Sequence, residues 1–212
     1  MKNRLDCSLY FIADLDLINT RNLDVETCVE QAIAGGCTMV QLRAKTILSI
    51  EFFKITLRLR EITEKFKVPF IINDHVDIAL ALNADGVHVG QNDLDCKTVR
   101  RIVGEKIVGV SAGNLSESLT AVESGADYLG IGSIFETDTK KDAKLVSIKE
   151  LCRIREKIDI PIVAIGGINK NNLSMLENTK MDGVAVSSAI ILQKDILLAA
   201  KELKARLNFF RS

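Results

Sequence analysis

Short apolar runs rich in β-branched residues alternate along the chain with segments whose apolar residues recur at helical spacing. Because both alternating faces of these runs are apolar, we predict strands that are covered on both sides, as in a parallel sheet. Eight such strands are predicted, at residues 9–13, 39–42, 70–73, 86–89, 107–111, 128–134, 161–165 and 183–187.

The segments between the runs carry helix signals. Asp95 precedes a predicted helix over residues 96–103, Asn114 precedes another over 115–123, and Gly125 follows the second as a stop. Ser49 is the predicted cap of the longest helix. Eight strand–helix pairs predict an α/β fold, a (βα)8 TIM barrel that forms a single domain over residues 1–212. The rival architecture is a doubly wound open sheet, which leaves little room for a separate ligand-binding domain.

Composition limits the partners of this fold. The chain has 212 residues with 28 basic and 28 acidic side chains, so its formal net charge is zero and no global field attracts nucleic acid or an anionic membrane. It has neither a signal-peptide pattern nor an apolar run of transmembrane length. Its five cysteines are widely spaced and contain no C-x-x-C pair, which favours a reducing cytoplasm over a disulfide framework or a zinc site. Homo-oligomer formation is left open.

Polar residues cluster where the predicted strands end, which is the face that carries the chemistry of a TIM barrel. Alternation places Gln41, Arg43 and Lys45 on one face after the second strand, as an anion clamp or as an ion-paired barrel mouth. Asp74 and Asp93 follow the third and fourth strands, and two carboxylates together with substrate phosphate oxygens suit Mg²⁺. The alternative for Asp93 is a helix cap.

A second group of polar positions follows the later strands. The loop after the sixth strand offers hydroxyls and lysines, and Gly166-Gly167 after the seventh strand lets a phosphate approach main-chain N–H groups, although it is also typical of a bend that closes the barrel. The segment after Ser187 adds helix-start donors. We therefore expect two anion-binding regions. Alternation places His88 opposite the valines on both sides of it, as a hydrogen-bonded interior residue or a catalytic one, and we assign it no catalytic role; His75 either orients Asp74 or lies in solvent.

In this order the motifs closely resemble the thiamine-phosphate synthase family over nearly the whole barrel. The segment Gly90-Gln91-x-Asp93 followed by Thr137-x-Thr139-Lys140 is the specific combination. The remaining matches are Gln41-x-Arg43-x-Lys45, Asn73-Asp74, Asp85-Gly86-Val87-His88, Ser111, Gly166-Gly167 and Val186-Ser187.

The resemblance implies the condensation of 4-amino-5-hydroxymethyl-2-methylpyrimidine diphosphate with 4-methyl-5-(2-phosphoethyl)thiazole, which gives thiamine phosphate and diphosphate. Mg²⁺ is the implied cofactor, held by Asp74 and Asp93. The implied ligands of the pyrimidine diphosphate are Gln41, Arg43, Lys45, Asn73, Ser111 and Lys140. Those of the thiazole phosphate are Thr137, Thr139, Gly167, Val186 and Ser187. Arg43, Lys45, Lys140 and Ser111 would act in catalysis by stabilising the departing diphosphate.

Two departures from the family pattern bear on this expectation. Glu136 stands where a proline usually precedes the threonine loop, and we expect it to point outward or to pair with Lys140 or Lys141. Gly113 stands where a histidine commonly follows Ser111, which argues against the related thiazole tautomerases because they use a histidine in that region as a base. The alternatives kept are a thiazole tautomerase-like enzyme and a non-catalytic barrel that binds a phosphorylated ligand.

Overall fold

The computed structural model describes residues 5–137 and 144–207. Eight parallel strands pair in chain order and β8 pairs with β1, so the sheet closes into a barrel. The strands are β1 (Leu9–Asp14), β2 (Met39–Arg43), β3 (Phe70–Asn73), β4 (Gly86–Val89), β5 (Ile107–Ala112), β6 (Tyr128–Ile131), β7 (Ile162–Ile165) and β8 (Gly183–Val186). The predicted TIM barrel is confirmed, and the open sheet is excluded.

Helices cover the outside of the barrel. They are α1 (Leu15–Thr20), α2 (Val25–Ala34), α3 (Ser49–Phe66), α4 (Val76–Ala81), α5 (Cys96–Val103), α6 (Leu115–Glu123), α7 (Ile148–Arg155), α8 (Ser188–Ile191) and α9 (Ile196–Arg206). A 3₁₀ helix, Leu173–Thr179, stands between β7 and β8. Within residues 5–137 and 144–207, none of the helices combines the length and the apolar character needed to cross a bilayer.

The predicted strand boundaries lie within one residue of the structure except at the end of β6, and the predicted cap of α3 is wrong. Asp95 and Asn114 cap α5 and α6 as predicted, by accepting from the N–H groups of the third helical residue. Ser49 is not the cap of α3: the helix begins one residue earlier, because the carbonyl of Leu48 already accepts from the N–H of Phe52 at 3.0 Å. Strand β6 ends at Ile131 instead of residue 134.

The early end of β6 has a clear cause in the backbone hydrogen bonds that follow it. The N–H of Ser133 donates to the carbonyl of Lys144 at 3.2 Å, and the N–H of Val146 donates back to Ser133 at 2.8 Å. Ser133 therefore pairs with the returning end of its own loop, and the N–H of Ile134 donates to the carbonyl of Ile165 on β7 at 2.9 Å, so neither residue continues the β5–β6 ladder. This pairing holds the loop after β6 at the barrel mouth.

Two apolar layers pack on the sheet. The larger lies between the outer faces of the strands and the helices, and includes Phe11, Leu42 and Phe52. The smaller fills the barrel interior around Tyr10 and Tyr128. Leu42 faces the helices while Gln41 is buried in the interior, as the alternation along β2 predicts.

A repeated polar contact joins the strands in pairs at the opposite end of the barrel from the predicted site. Asp182, which precedes β8, accepts from the N–H of Ile162 at the start of β7 at 2.9 Å and from the Nη1 of Arg155 on α7 at 2.8 Å. Each such contact therefore ties two strands and the helix before them together.

The same arrangement recurs before β4 and β6, with Asp85 bound to Phe70 N and Arg60, and with Asp127 bound to Val108 N and Arg100. Before β2 the acceptor is a hydroxyl: Thr38 Oγ1 accepts from the N–H of Leu9 at 3.2 Å. Asp85, which the sequence motifs include, therefore supports the fold at the end of the barrel remote from the chemistry.

We expect Asp182→Ala to lower the free energy of unfolding by about 2 kcal/mol, because it leaves the Ile162 N–H and the Arg155 guanidinium without this acceptor. Urea titration followed by circular dichroism measures the change. Asp159→Ala, which removes an exposed carboxylate at the C-terminal side of α7, is the control, with an expected change within about 0.5 kcal/mol. Equal stabilities of the two variants would contradict the role of this contact.

Candidate active site

The end of β2 presents a cation that is held in place by a carboxylate from β1. Arg43 Nη1 forms an ion pair with Asp14 Oδ2, and Asp14 is only 2% exposed. Asp14 Oδ1 accepts from the N–H of Leu17 at 3.1 Å and so caps α1. Arg43 is therefore ion-paired at the barrel mouth, which was one of the two alternatives. The ion pair holds its side chain in place and leaves further guanidinium N–H groups for an anion.

Asp14 was not among the predicted site residues. It ends β1 in the same way as Asp74 and Asp93 follow β3 and β4, so its place at a strand end is the signal that finds it. Asp16, two residues later, accepts from the backbone N–H of Lys45 at 3.3 Å and from Thr46 Oγ1 at 2.9 Å. The two carboxylates after β1 thus hold the segment that carries Arg43 and Lys45.

Asp74 and Asp93 lie beside each other at the mouth. Asp74 has a left-handed backbone (φ 62°), and its N–H donates to the carbonyl of His88 at 3.0 Å, which holds it against β4. Partial desolvation and then the neighbouring carboxylate of Asp93 raise the pKa of Asp74 to about 6, against the opposing effect of Arg43 and Lys45. The pair thus concentrates negative charge at one point of the mouth.

Asp93 does not cap a helix, which was the alternative for it. Its Oδ2 accepts from the N–H of Gly90 at 2.7 Å and closes the turn after β4, whereas Asp95 caps α5. Asn73 ends β3 opposite His88 of β4, and the carbonyl of Ser111 on β5 accepts from Gln91 Nε2 at 2.7 Å. Apart from Lys140, which lies outside the described residues, the residues predicted for the pyrimidine diphosphate and its metal ion lie in or directly after four consecutive strands, β2 to β5.

The residues predicted for the second anion come from the other side of the barrel. A cavity of about 440 Å³ is lined by Arg43 and Lys45 on one side and by Thr137 and Gly167 on the other. Glu136 is exposed but also lines this cavity, so the expectation that it points outward is not confirmed. Thr139 and Lys140, and Glu136's expected partner Lys141, lie outside the described residues.

Gly166 and Gly167 are required by a close approach of the loop after β6. A Cβ on Gly167 would lie 2.3 Å from the carbonyl oxygen of Glu136, and its φ of 63° is unfavourable for other residues. The N–H of Phe135 donates to the carbonyl of Gly166 at 3.1 Å. The glycine pair therefore allows Phe135 and Glu136 to pack against the end of β7, so the two glycines have a structural role at the barrel mouth.

Ser187 has an unusual environment at the end of β8. Its Oγ is buried and, within the part of the chain that the structure describes, is the one buried side-chain polar atom without a hydrogen-bond partner. Val186, the last residue of β8, is 3% exposed. A buried hydroxyl without a partner is costly in a protein interior unless a ligand completes it.

Comparison with known proteins decides the family. The model of the family described as "Thiamine monophosphate synthase" matches residues 9–190, from β1 into α8. The chain belongs to the thiamine monophosphate synthase family. The resemblance inferred from the motifs is therefore confirmed.

Relatives and a solved structure agree with this assignment to the thiamine monophosphate synthase family. The chain is 51% identical to the thiamine-phosphate synthase of Clostridium beijerinckii and 52% identical to that of Ruminiclostridium cellulolyticum, with 96% of the chain aligned in both cases and 97% and 96% of the relatives covered. Thiamine phosphate pyrophosphorylase from Pyrococcus furiosus is 36% identical over 99% of both chains, with a TM-score of 0.90.

The two histidines of this family member have different surroundings. His88 is an interior residue, 6% exposed, with its ring nitrogens bonded to Tyr128 and Ser111. His75 was expected to orient Asp74 or to lie in solvent; instead its ring packs against Phe52 with 4.6 Å between centroids. The expectation for His75 was wrong because the turn before α4 directs the ring toward α3.

Ser187→Ala tests whether the unpartnered hydroxyl is kept for a ligand. Without ligand we expect the free energy of unfolding to stay within about 0.5 kcal/mol of the parent or to rise, because no hydrogen bond is lost. The control is Ser118→Ala, which removes a buried hydroxyl that donates to the carbonyl of Asn114 at 2.8 Å and should lower it by about 1 kcal/mol. Thermal and urea unfolding measure both; a loss for Ser187→Ala as large as the control's would contradict the assignment.

Proposed function

We propose that this chain is a transferase that joins the pyrimidine diphosphate to the thiazole phosphate and releases diphosphate. The observation that carries the proposal is the shared cavity. Arg43 and Lys45 line one side of it, and Thr137 and Gly167 line the other. Two anionic substrates, one bound by each side, would have their reacting groups close together in the same cavity, as a condensation requires.

The residues after β2 to β5 are proposed to hold the pyrimidine diphosphate. Arg43 supplies a planar fork to the phosphate oxygens and Lys45 a point charge, and Lys140 is proposed to join them from the loop after β6. Gln41 and Asn73 are proposed to contact the pyrimidine ring, and Ser111 the departing diphosphate. These groups act by stabilising the negative charge that develops as the bond to the leaving group breaks.

The donor set at the mouth fits Mg²⁺. Among residues 5–137 and 144–207, no group of three or more acidic, histidine or cysteine side chains forms a closed metal cage. Asp74 and Asp93 together form the open, two-carboxylate arrangement that Mg²⁺ uses when substrate phosphate oxygens complete its shell. Asp74 and Asp93 would hold the ion, which supplies charge neutralisation for the diphosphate.

The thiazole phosphate is proposed to bind across the barrel from the diphosphate. Thr137, Thr139 and the hydroxyl of Ser187 would donate to the phosphate oxygens, with main-chain N–H groups at Gly167 and Val186. The support on this side is the buried Oγ of Ser187, which has no partner in the protein. A phosphate oxygen would give that hydroxyl the acceptor that it lacks.

The bond changes need no nucleophile from the protein. The bond between the exocyclic pyrimidine carbon and the diphosphate oxygen breaks with its electron pair on oxygen, and the lone pair of the thiazole nitrogen forms the new carbon–nitrogen bond. The 4-amino group of the pyrimidine stabilises the positive charge on the carbon between these events. The chain contributes position and electrostatics.

The two alternatives have less support in the structure. The related tautomerases use a histidine two positions after Ser111 as the base, whereas this chain has Gly113 there, which offers no side chain and whose N–H donates to Glu117 Oε2 at 2.7 Å. A non-catalytic binder has no use for both a carboxylate pair and a cation pair at the mouth. We also propose a cytoplasmic location, because all five cysteines are free thiols and four of them are buried.

The direct test combines the purified chain with both substrates and Mg²⁺ and measures thiamine phosphate by chromatography and diphosphate by a coupled assay. We expect equal amounts of the two products, and none when either substrate is omitted. Turnover of a thiazole phosphate alone, without metal, would instead support the tautomerase. Tight binding without product would support the silent barrel.

Asp93→Asn tests the metal assignment. We expect the Mg²⁺ concentration for half-maximal activity to rise by about tenfold or more, because one of the two carboxylates is neutralised. The matched control is Asp95→Asn, two residues away, where the asparagine keeps the cap of α5, so the Mg²⁺ dependence should change by less than about twofold. Activity of Asp93→Asn at limiting Mg²⁺ equal to that of the control would refute the assignment.

A further inference from the structure

A line of hydrogen bonds crosses the barrel interior from β2 to β5. Gln41 Nε2 donates to the hydroxyl of Tyr10 at 2.6 Å, and that hydroxyl lies 2.8 Å from the hydroxyl of Tyr128. The Tyr128 hydroxyl lies 2.9 Å from His88 Nδ1, and His88 Nε2 lies 2.9 Å from Ser111 Oγ. We call these five residues the interior relay. Its two ends, Gln41 and Ser111, are the residues proposed to meet the pyrimidine and the leaving group.

The barrel is built around the two tyrosines of the relay. Tyr10 and Tyr128 are 1% and 0% exposed, and their rings meet edge to face with 5.8 Å between centroids. A Cβ at Gly109 would lie 2.3 Å from the Tyr128 hydroxyl oxygen, so glycine alone leaves room for it. Gly130 likewise stands beside the ring of His88, where a Cβ would lie 3.3 Å from Cε1. Two glycines in neighbouring strands thus make space for polar groups in a part of the barrel that is otherwise apolar.

Both tyrosines stay protonated, and each hydroxyl therefore has one proton to donate. Burial raises the pKa of Tyr10 and the pKa of Tyr128 far above the usual value. The distances do not name the donor between Tyr10, Tyr128 and His88, but the hydroxyl of Tyr10 already accepts from Gln41, so its own proton is the one available to Tyr128. Tyr128 then donates to His88 Nδ1, which leaves the proton of the neutral ring on Nε2, and Nε2 donates to Ser111 Oγ. The bonds all run in one direction, from Gln41 to Ser111.

We propose that Tyr10 and Tyr128 are positioning residues that fix which polar group each end of the interior relay presents to the substrate. With Nε2 committed to Tyr10, Gln41 presents its Oε1 as an acceptor. With its oxygen committed to His88, Ser111 presents its hydroxyl proton as a donor. The inference rests on the proposed function, in which the pyrimidine and its leaving group lie at these two ends.

The direction of the relay matches the charges that form in the reaction. As the carbon–oxygen bond breaks, the 4-amino group of the pyrimidine becomes a stronger donor, and Gln41 Oε1 accepts from it. The departing diphosphate becomes a stronger acceptor, and Ser111 donates to it. Both contacts strengthen in the transition state, so the relay contributes to kcat more than to binding. The reverse direction would present a donor to the amino group and would leave Ser111 without a proton for the diphosphate.

Kinetics of Tyr128→Phe test the proposal. We expect kcat to fall by about tenfold, while KM for the thiazole phosphate stays within about twofold because its proposed ligands are not bonded to the relay. In a Ser111→Ala background the same substitution should lower kcat by only about threefold, because one end of the relay is already lost. Tyr10→Phe is expected to lower kcat in the same way and replaces Tyr128→Phe if that variant does not fold.

A matched control separates positioning from simple stabilisation. Thr56→Val removes a buried hydroxyl on α3 that donates to the carbonyl of Phe52 at 2.7 Å, away from the barrel interior. It should lower the unfolding temperature, as Tyr128→Phe does, but leave kcat unchanged. If Tyr128→Phe and Tyr10→Phe keep the parent kcat, or if the loss is the same with and without Ser111, the positioning role is overturned.

A spectroscopic test does not depend on activity. The chain has two histidines, so ¹⁵N-histidine NMR gives two sets of ring signals, and a His75→Asn variant assigns them. We expect His88 to be the neutral tautomer with its proton on Nε2, and to become a mixture of tautomers in Tyr128→Phe. A proton on Nδ1 in the parent chain would overturn the proposed direction. If the parent releases no diphosphate, the proposed function fails, whereas the tautomer still tests the relay.

Discussion

Closure of the parallel sheet, completed where β8 pairs with β1, is the constraint on which the other features depend. A closed sheet has no edge, and every second side chain along each strand must point into an interior that water does not reach. Polar groups in that interior need partners from other strands, since the cost of an unpaired buried group is high. The relay from Gln41 to Ser111 meets this need with five side chains from five strands.

Much of this arrangement follows from the sequence, because local pattern determines it. The strands were found from runs that are apolar on both faces, and the alternation along β2 correctly assigned Gln41 to the interior and Leu42 to the helix layer. The caps Asp95 and Asn114 were also local signals. Strand β6 was predicted too long because Ile134 extends the apolar run, whereas the pairing of Ser133 with Lys144 and Val146 depends on the path of the returning loop.

Contacts across the barrel were not predictable in the same way. The partner of Arg43 is Asp14, 29 residues earlier, and Tyr10 bonds to Tyr128 across 118 residues. Periodicity assigns a residue to a face but does not say which residue lies opposite, because that depends on the stagger of the closed sheet. For the same reason Asp85 could be assigned to a motif, but its contacts with Phe70 and Arg60 could not be predicted. The carboxylate pair was found because both members directly follow neighbouring strands.

The paired contacts before β4, β6 and β8 join segments that lie close together along the chain. Each joins residues only 15, 19 or 20 positions apart, so the loop that it closes costs little entropy. The barrel can therefore grow as two-stranded units, each with its own helix and ionic contact. The β8–β1 seam is different, since the N–H of Val184 donates at 3.2 Å to the carbonyl of Ser8, which lies 176 positions earlier. Closing that seam joins the two most distant strands of the chain, and the interior relay is enclosed on all sides only when the seam is closed.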